Sequence, residues 1–108
     1  MPSDEEGRAD GFYSGVLGFE ILEKPPALAA RGGRWYGAGE VHVHLGVDAD
    51  FRPAKKAHPA LVIDDLDRLV EQLGAAGIDV VWDVNQPGVR RCFVDDPFGN
   101  RIELIASG

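Results

Sequence analysis

The sequence predicts an α+β fold of two copies of a helix-plus-strands unit, together forming a cupped mixed sheet. Three observations carry this expectation. Leu17-Gly18-Phe19-Glu20-Ile21 and Ala76-Gly77-Ile78-Asp79-Val80 share one pattern, a helix end at glycine followed by a short apolar strand. Three strand-like segments follow each of these glycines. Within them apolar and polar residues alternate, as in Val41, Val43 and Leu45 against His42, His44 and Gly46, which is the period of a sheet with two different faces.

The first helix is expected from Asp4 to about Leu17. Ser3 and Glu6 stand at capping-box spacing, where hydroxyl and carboxylate satisfy backbone N–H groups. Ala9, Phe12 and Val16 fall at helical spacing, and Gly18 takes the left-handed conformation that ends a helix. Phe19 to Leu22 reads as a strand, stopped by Pro25-Pro26 and followed by a loop. Gly32-Gly33 and Gly37-Ala38-Gly39 bracket a strand at Arg34-Trp35-Tyr36, and Val41 to Val47 is the next strand. Residues 48–56 are polar, contain Pro53 and read as a linker.

After the linker, His58 to Ile63 reads as a strand. Asp64 or Asp65 caps a second helix, whose Leu66, Leu69, Val70 and Leu73 follow helical spacing until Gly77 ends it. Strands are expected at Val80–Trp82, Val89–Asp95 and Arg101–Ala106, with turns at Asn85–Gly88 and Pro97–Asn100. The second unit, about 57–108, is thus β-α-β-β-β. The first, about 1–47, is α-β-β-β and lacks the opening strand. A sheet edge left open in this way invites pairing, so a homodimer is expected.

A chain of 108 residues fits one domain, 1–108, and 44% hydrophobic with 27% charged residues is the composition of a folding globular protein. The net charge of −7 and the dispersed lysines and arginines oppose nucleic acid as a partner. The acidic start, Met1-Pro2-Ser3-Asp4-Glu5-Glu6, does not read as a signal peptide, and no run of about eighteen apolar residues suggests a membrane span. A cytoplasmic protein acting on a small molecule is expected. The single cysteine, Cys92, sits in an apolar run and reads as a core residue.

Side chains two apart on a strand share a face, so His42 and His44 point the same way. On the last strand Glu103 shares a face with Arg101 and Ile105, opposite Ile102 and Leu104. His58 opens the first strand of the second unit. These histidines and Glu103 suit a divalent metal such as Zn, Ni, Fe or Mn. Spacing alone does not establish a metal site and is better met by histidines with local hydrogen-bond partners and a solvent-facing Glu103. Trp35 is expected to line the cup. Of Arg90 and Arg91 one faces inward, and Arg91, with Phe93 two residues on, is the candidate carried to the substrate pocket.

Phe12 to Phe19, Ala57 to Asp65 and Asp95-Asp96-Pro97-Phe98-Gly99-Asn100-Arg101-Ile102-Glu103-Leu104 resemble the landmark stretches of the vicinal oxygen chelate superfamily. That superfamily includes glyoxalase I, bleomycin and fosfomycin resistance proteins and extradiol dioxygenases. The resemblance implies a paired β-α-β-β-β fold, with metal ligands on the first and last strands of each unit. It places His58 and Glu103 as ligands. For the last strand of unit one, apolar matching favours His42 and the distance from Gly18 favours His44, with His42 preferred. The fourth ligand falls on the absent opening strand. The implied activity is lyase or isomerase chemistry on an oxygen-chelating substrate, with Glu103 as ligand and base. The alternative is a metal-free drug- or toxin-binding protein of the bleomycin-resistance type.

Overall fold

Apolar side chains at strand and helix spacing gather the chain into two units, Met1–Arg52 and a second from Pro53 onward, each with its own sheet and helix. The computed structural model describes residues 1–107. The fold is mixed α+β, as expected.

In the first unit, helix α1 (Glu6–Ala9) runs into a π-helical segment (Asp10–Val16) in which the Leu17 N–H reaches the Phe12 carbonyl at 2.9 Å. Long π-helical stretches are rare. Here the segment buries Phe12 and Tyr13 together and sets Tyr13 against Tyr36 of the sheet, ring centroids 5.1 Å apart and stacked. Gly18 ends it at φ 79°, and its counterpart Gly77 stands at φ 75° at the end of the second unit's helix. The repeat seen in the sequence is therefore a repeat of backbone conformation.

The expected Ser3 cap does not form. Asp4 turns at φ 63°, the helix starts at Glu6, and no side chain caps it. The chain ahead of it is held elsewhere: the Met1 amino group donates to the Gly46 carbonyl at 2.7 Å, and the Asp48 N–H donates to the Met1 carbonyl at 2.9 Å.

Strands β1 (Glu20–Leu22), β2 (Arg34–Ala38) and β3 (Val41–Leu45) pair antiparallel in the order β1-β2-β3. Between β1 and β2 the sequence suggested a loop; Pro25-Pro26 instead opens one helical turn, α2 (Pro26–Ala29). Proline suits that position because its fixed φ is helical and its missing N–H has no partner there. One sheet face turns to the helix: Tyr36 is wholly buried and donates to Asp10 Oδ1 at 2.8 Å, and Arg34 Nε donates to the same oxygen at 3.1 Å. Burial, followed by the bond to Asp10, pushes the Tyr36 phenol well above its ordinary range. The opposite face carries Trp35, His42 and His44.

In the second unit the parallel pair β4 (Ala60–Ile63) and β7 (Arg101–Ala106) is extended antiparallel by β6 (Arg91–Asp95) and β5 (Val81–Asp83), in the order β4-β7-β6-β5. Helix α3 (Leu66–Ala75) begins at Asp65, whose carboxylate accepts the Arg68 N–H at 3.1 Å, and buries Leu66, Leu69 and Leu73. Cys92, Val94, Ile102 and Leu104 form the buried face of the sheet. Burial pushes the Cys92 thiol up, as befits a core cysteine.

The turn between β6 and β7 is organised by Asp96, which is buried and accepts the N–H groups of Phe98 and Asn100, each at 2.9 Å, while Gly99 takes φ 87°. Asp and Gly are required there for separate reasons, one as an acceptor and one for positive φ. The end of the presumed linker also belongs to this unit: the Ala54 carbonyl accepts the Arg101 N–H at 2.8 Å and the Ala54 N–H donates to Asn100 Oδ1 at 2.9 Å.

Gly33 provides a test of backbone packing. It stands at φ 83°, and a Cβ there would run into the Leu45 carbonyl oxygen, whereas Gly39 has φ 58° with open space around it. Gly39→Ala is expected to cost about 1 kcal/mol, the ordinary left-handed penalty. Gly33→Ala is expected to cost clearly more in denaturant unfolding, and equal losses would contradict this packing.

Candidate functional site

Period-two alternation places Arg91, Phe93, Arg101, Glu103 and Asp83 on the sheet face of the second unit that is turned away from its core. Antiparallel register sets Phe93 opposite Glu103 and Asp83 opposite Arg91. The question left open by Arg90-Arg91 is thereby answered: Arg91 shares the face of Glu103. Arg90 lies on the other side, over the Trp82 ring at 4.6 Å and bonded to Asp67 at 2.6 Å.

His58 lies two residues before β4 begins, rather than within it as expected. The ladder nevertheless reaches it, because the Glu103 N–H donates to the Pro59 carbonyl at 3.0 Å and holds this segment beside β7. His58 Nε2 stands 3.1 Å from Glu103 Oε1. Its Nδ1 stands 3.2 Å from the carbonyl oxygens of both Lys55 and Lys56. Carbonyl oxygens only accept, so Nδ1 carries a hydrogen. Nε2 therefore faces a carboxylate oxygen, and the contact is attractive only if a positive charge sits there, either a proton or a metal ion. An imidazole anchored through Nδ1 to a backbone carbonyl, with Nε2 presented outward, is the arrangement that orients metal-binding histidines.

Glu103 is 7% exposed and has a second partner: Arg91 Nη1 donates to its Oε2 at 3.1 Å. Arg91 Nη2 is bonded to Asp83, and its buried Nε has no hydrogen-bond partner among the described residues. The bond to Asp83, then that to Glu103, raises the guanidinium further above its ordinary value. Asp83 is held below the usual carboxylate range, first by the Asn85 backbone N–H at 2.9 Å and then by Arg91. Phe93 closes one side, its ring meeting His58 edge-on with centroids 5.5 Å apart. Asp83 and Arg91 also form part of the wall of a cavity of about 480 Å³ at the β5–β6 hairpin.

The other candidates lie in the first unit. His44 and Trp35 are cross-strand partners with stacked rings 4.1 Å apart, and His42 lies beside His44 at 6.2 Å. Both histidines share a face, as the alternation requires. Among the described residues no three His, Cys, Asp or Glu side chains gather as a metal site would need. The four candidate ligands are present as two pairs, His42 with His44 and His58 with Glu103. Asp83 was not among the sequence candidates. The expected strand stopped at Trp82, and one more residue of alternation would have placed Asp83 opposite Arg91.

The chain belongs to the Glyoxalase/Bleomycin resistance protein/Dioxygenase superfamily, whose family model matches residues 7–104. It is similar to a glyoxalase family protein from Bacillus anthracis, with 41% identity over 100% of this chain and 88% of that one and a TM-score of 0.95. It is also similar to TnmS3, an antibiotic binding protein from Streptomyces sp. CB03234, with 25% identity, coverage of 100% and 91%, and a TM-score of 0.74. Lactoylglutathione lyase from Agrobacterium tumefaciens shares the fold, with 20% identity, coverage of 99% and 89%, and a TM-score of 0.72. Comparison with curated proteins found no match. No helix of the described residues is long and apolar enough to cross a membrane.

The Arg91–Asp83 pair makes a pH prediction. A lowered carboxylate contributes stability above its unfolded pKa, and this is lost as pH falls through the folded pKa. In Arg91→Met the Asp83 titration, followed by carboxyl NMR, is expected to move upward towards the ordinary range, with part of the lowering kept through Asn85. Stability should then fall less steeply on acidification. An unchanged Asp83 titration would contradict the pairing.

Proposed function

We propose that the chain is a small-molecule enzyme with lyase or isomerase chemistry on an oxygen-rich substrate, centred on His58 and Glu103. The observation that carries this reading is the short approach of His58 Nε2 to Glu103 Oε1 with Nδ1 already committed to carbonyls. Such a pair has a place for one positive charge. The donors fit a divalent ion as two of its ligands, a neutral imidazole nitrogen and a carboxylate oxygen, and among the described residues the second unit offers no third. An ion held there would act as a Lewis acid towards substrate oxygens.

The remaining chemistry rests on the chain's own groups. Glu103 is the group to take a proton from the substrate and return it, through Oε1, which faces the exchangeable position at His58 Nε2 rather than the permanent cation of Arg91. Arg91 is a positioning residue that fixes the carboxylate. Phe93 and the ring of His58 keep one side of the carboxylate dry.

A second reading is a metal-free binding protein for a drug or toxin. It is favoured by the same pair being satisfied by a shared proton, and by the antibiotic binding relative. Under this reading, ligand-induced thermal stabilisation is indifferent to chelator.

Metal content separates the two readings. In calorimetric titration with Ni, Zn or Mn, the wild-type chain is expected to bind close to one ion per chain. His58→Ala and Glu103→Gln are each expected to lose affinity by about 10-fold or more. Stoichiometry near zero in the wild type would overturn the metalloenzyme reading and leave the binding protein.

A further inference from the structure

A second cluster lies wholly within the first unit, away from any role given to His58 and Glu103. The segment between β1 and β2, including α2, folds against the Trp35 and His44 side of the sheet and leaves a cavity of about 220 Å³. Its walls include Lys24, Leu28, Arg31, Trp35, His44 and Val47. In a chain of net charge −7, this lining holds two cations and no carboxylate. Glu6 lies near, its Oε1 3.7 Å from where a Cβ on Gly32 would stand, but it does not line the cavity.

The cations are placed differently. Lys24 Nζ is fixed by the Gly32 carbonyl and lies 6.0 Å from the centroid of the Trp35 ring, which is itself stacked on His44. The ammonium is therefore preorganised, with further N–H donors to spare. Arg31 is exposed at the mouth, with no ion pair of its own among the described residues. An ordered cation, a free guanidinium, a flat aromatic wall and aliphatic Leu28 and Val47 make a chemistry that recognises an anion attached to an apolar body. The volume lies below that of sites for drug-sized ligands, so the fit is to a small molecule or one end of a larger one.

We propose that this cavity binds small organic carboxylates, the carboxylate between Lys24 and Arg31 and the apolar body against Trp35, Leu28 and Val47. Arg31 is suited to grip a carboxylate through two N–H groups. The site is independent of the metal reading and functions whether or not His58 and Glu103 hold an ion.

The test uses benzoate as the probe, with neutral benzamide of the same shape as control, followed through the Trp35 indole N–H resonance and by calorimetry on the full chain. Benzoate is expected to shift that resonance saturably and to bind more weakly at high salt. Benzamide is expected to bind at least about 10-fold more weakly. Lys24→Gln, at a half-buried position, and Arg31→Gln, at an exposed one, should each weaken benzoate about 10-fold while leaving benzamide unchanged. His58→Ala should bind benzoate as the wild type does. Equal affinity for benzoate and benzamide, no loss in either glutamine variant, or loss in His58→Ala would each overturn the proposal.

Discussion

Glu103 is a carboxylate set among core residues, and the open face of the second unit is arranged around satisfying it. Ile102 and Leu104 on either side are buried against the core, so the strand cannot turn over to release the carboxylate to water without exposing them. A charge held in this way is tolerated only with partners. Arg91 is brought to it because β6 and β7 are antiparallel, and His58 because the Pro59 carbonyl takes the Glu103 N–H. Arg91 in turn requires Asp83, and Asp83 requires Asn85.

That chain of requirements separates holding from acting. One oxygen of Glu103 is immobilised by a permanent cation, and the other faces a nitrogen whose charge state can change by a proton or be replaced by an ion. This arrangement is compatible with both a metal-assisted and a metal-free use of the pair. Changes as small as the supply of a further ligand from outside this pair would shift the balance.

Much of the fold was legible in the sequence because its signals are local. Gly18 and Gly77 end helices at positive φ, Asp65 caps α3, and alternation in β3 and β7 placed His42, His44 and Glu103 on their faces. Where the reading missed, non-local contacts decided. Ser3 sits at capping spacing, but Met1 is tied to Gly46 and Asp48, and the chain turns at Asp4 instead. Pro25-Pro26 carries both a strand-stop and a helix-start signal, and where the first led to the expectation of a loop the second produces α2. The π-helical segment has no simple sequence signature; it accommodates Tyr13 stacking on Tyr36. In the site, strand alternation and residue type made His58 and Glu103 candidates and motif resemblance matched them to ligand positions, whereas Asp83, Lys24 and Arg31 lie at strand ends and loops whose partners are set by register and folding of the segment.

The central claim is that His58 is anchored through Nδ1 and presents Nε2 to Glu103. Long-range proton–nitrogen NMR on the labelled chain reads this directly, since the two ring nitrogens differ strongly between tautomers. The account predicts that Nδ1 carries its hydrogen in the neutral ring and keeps it on addition of a divalent metal, with the change occurring at Nε2. A neutral His58 ring with a bare Nδ1 and a protonated Nε2 would contradict it.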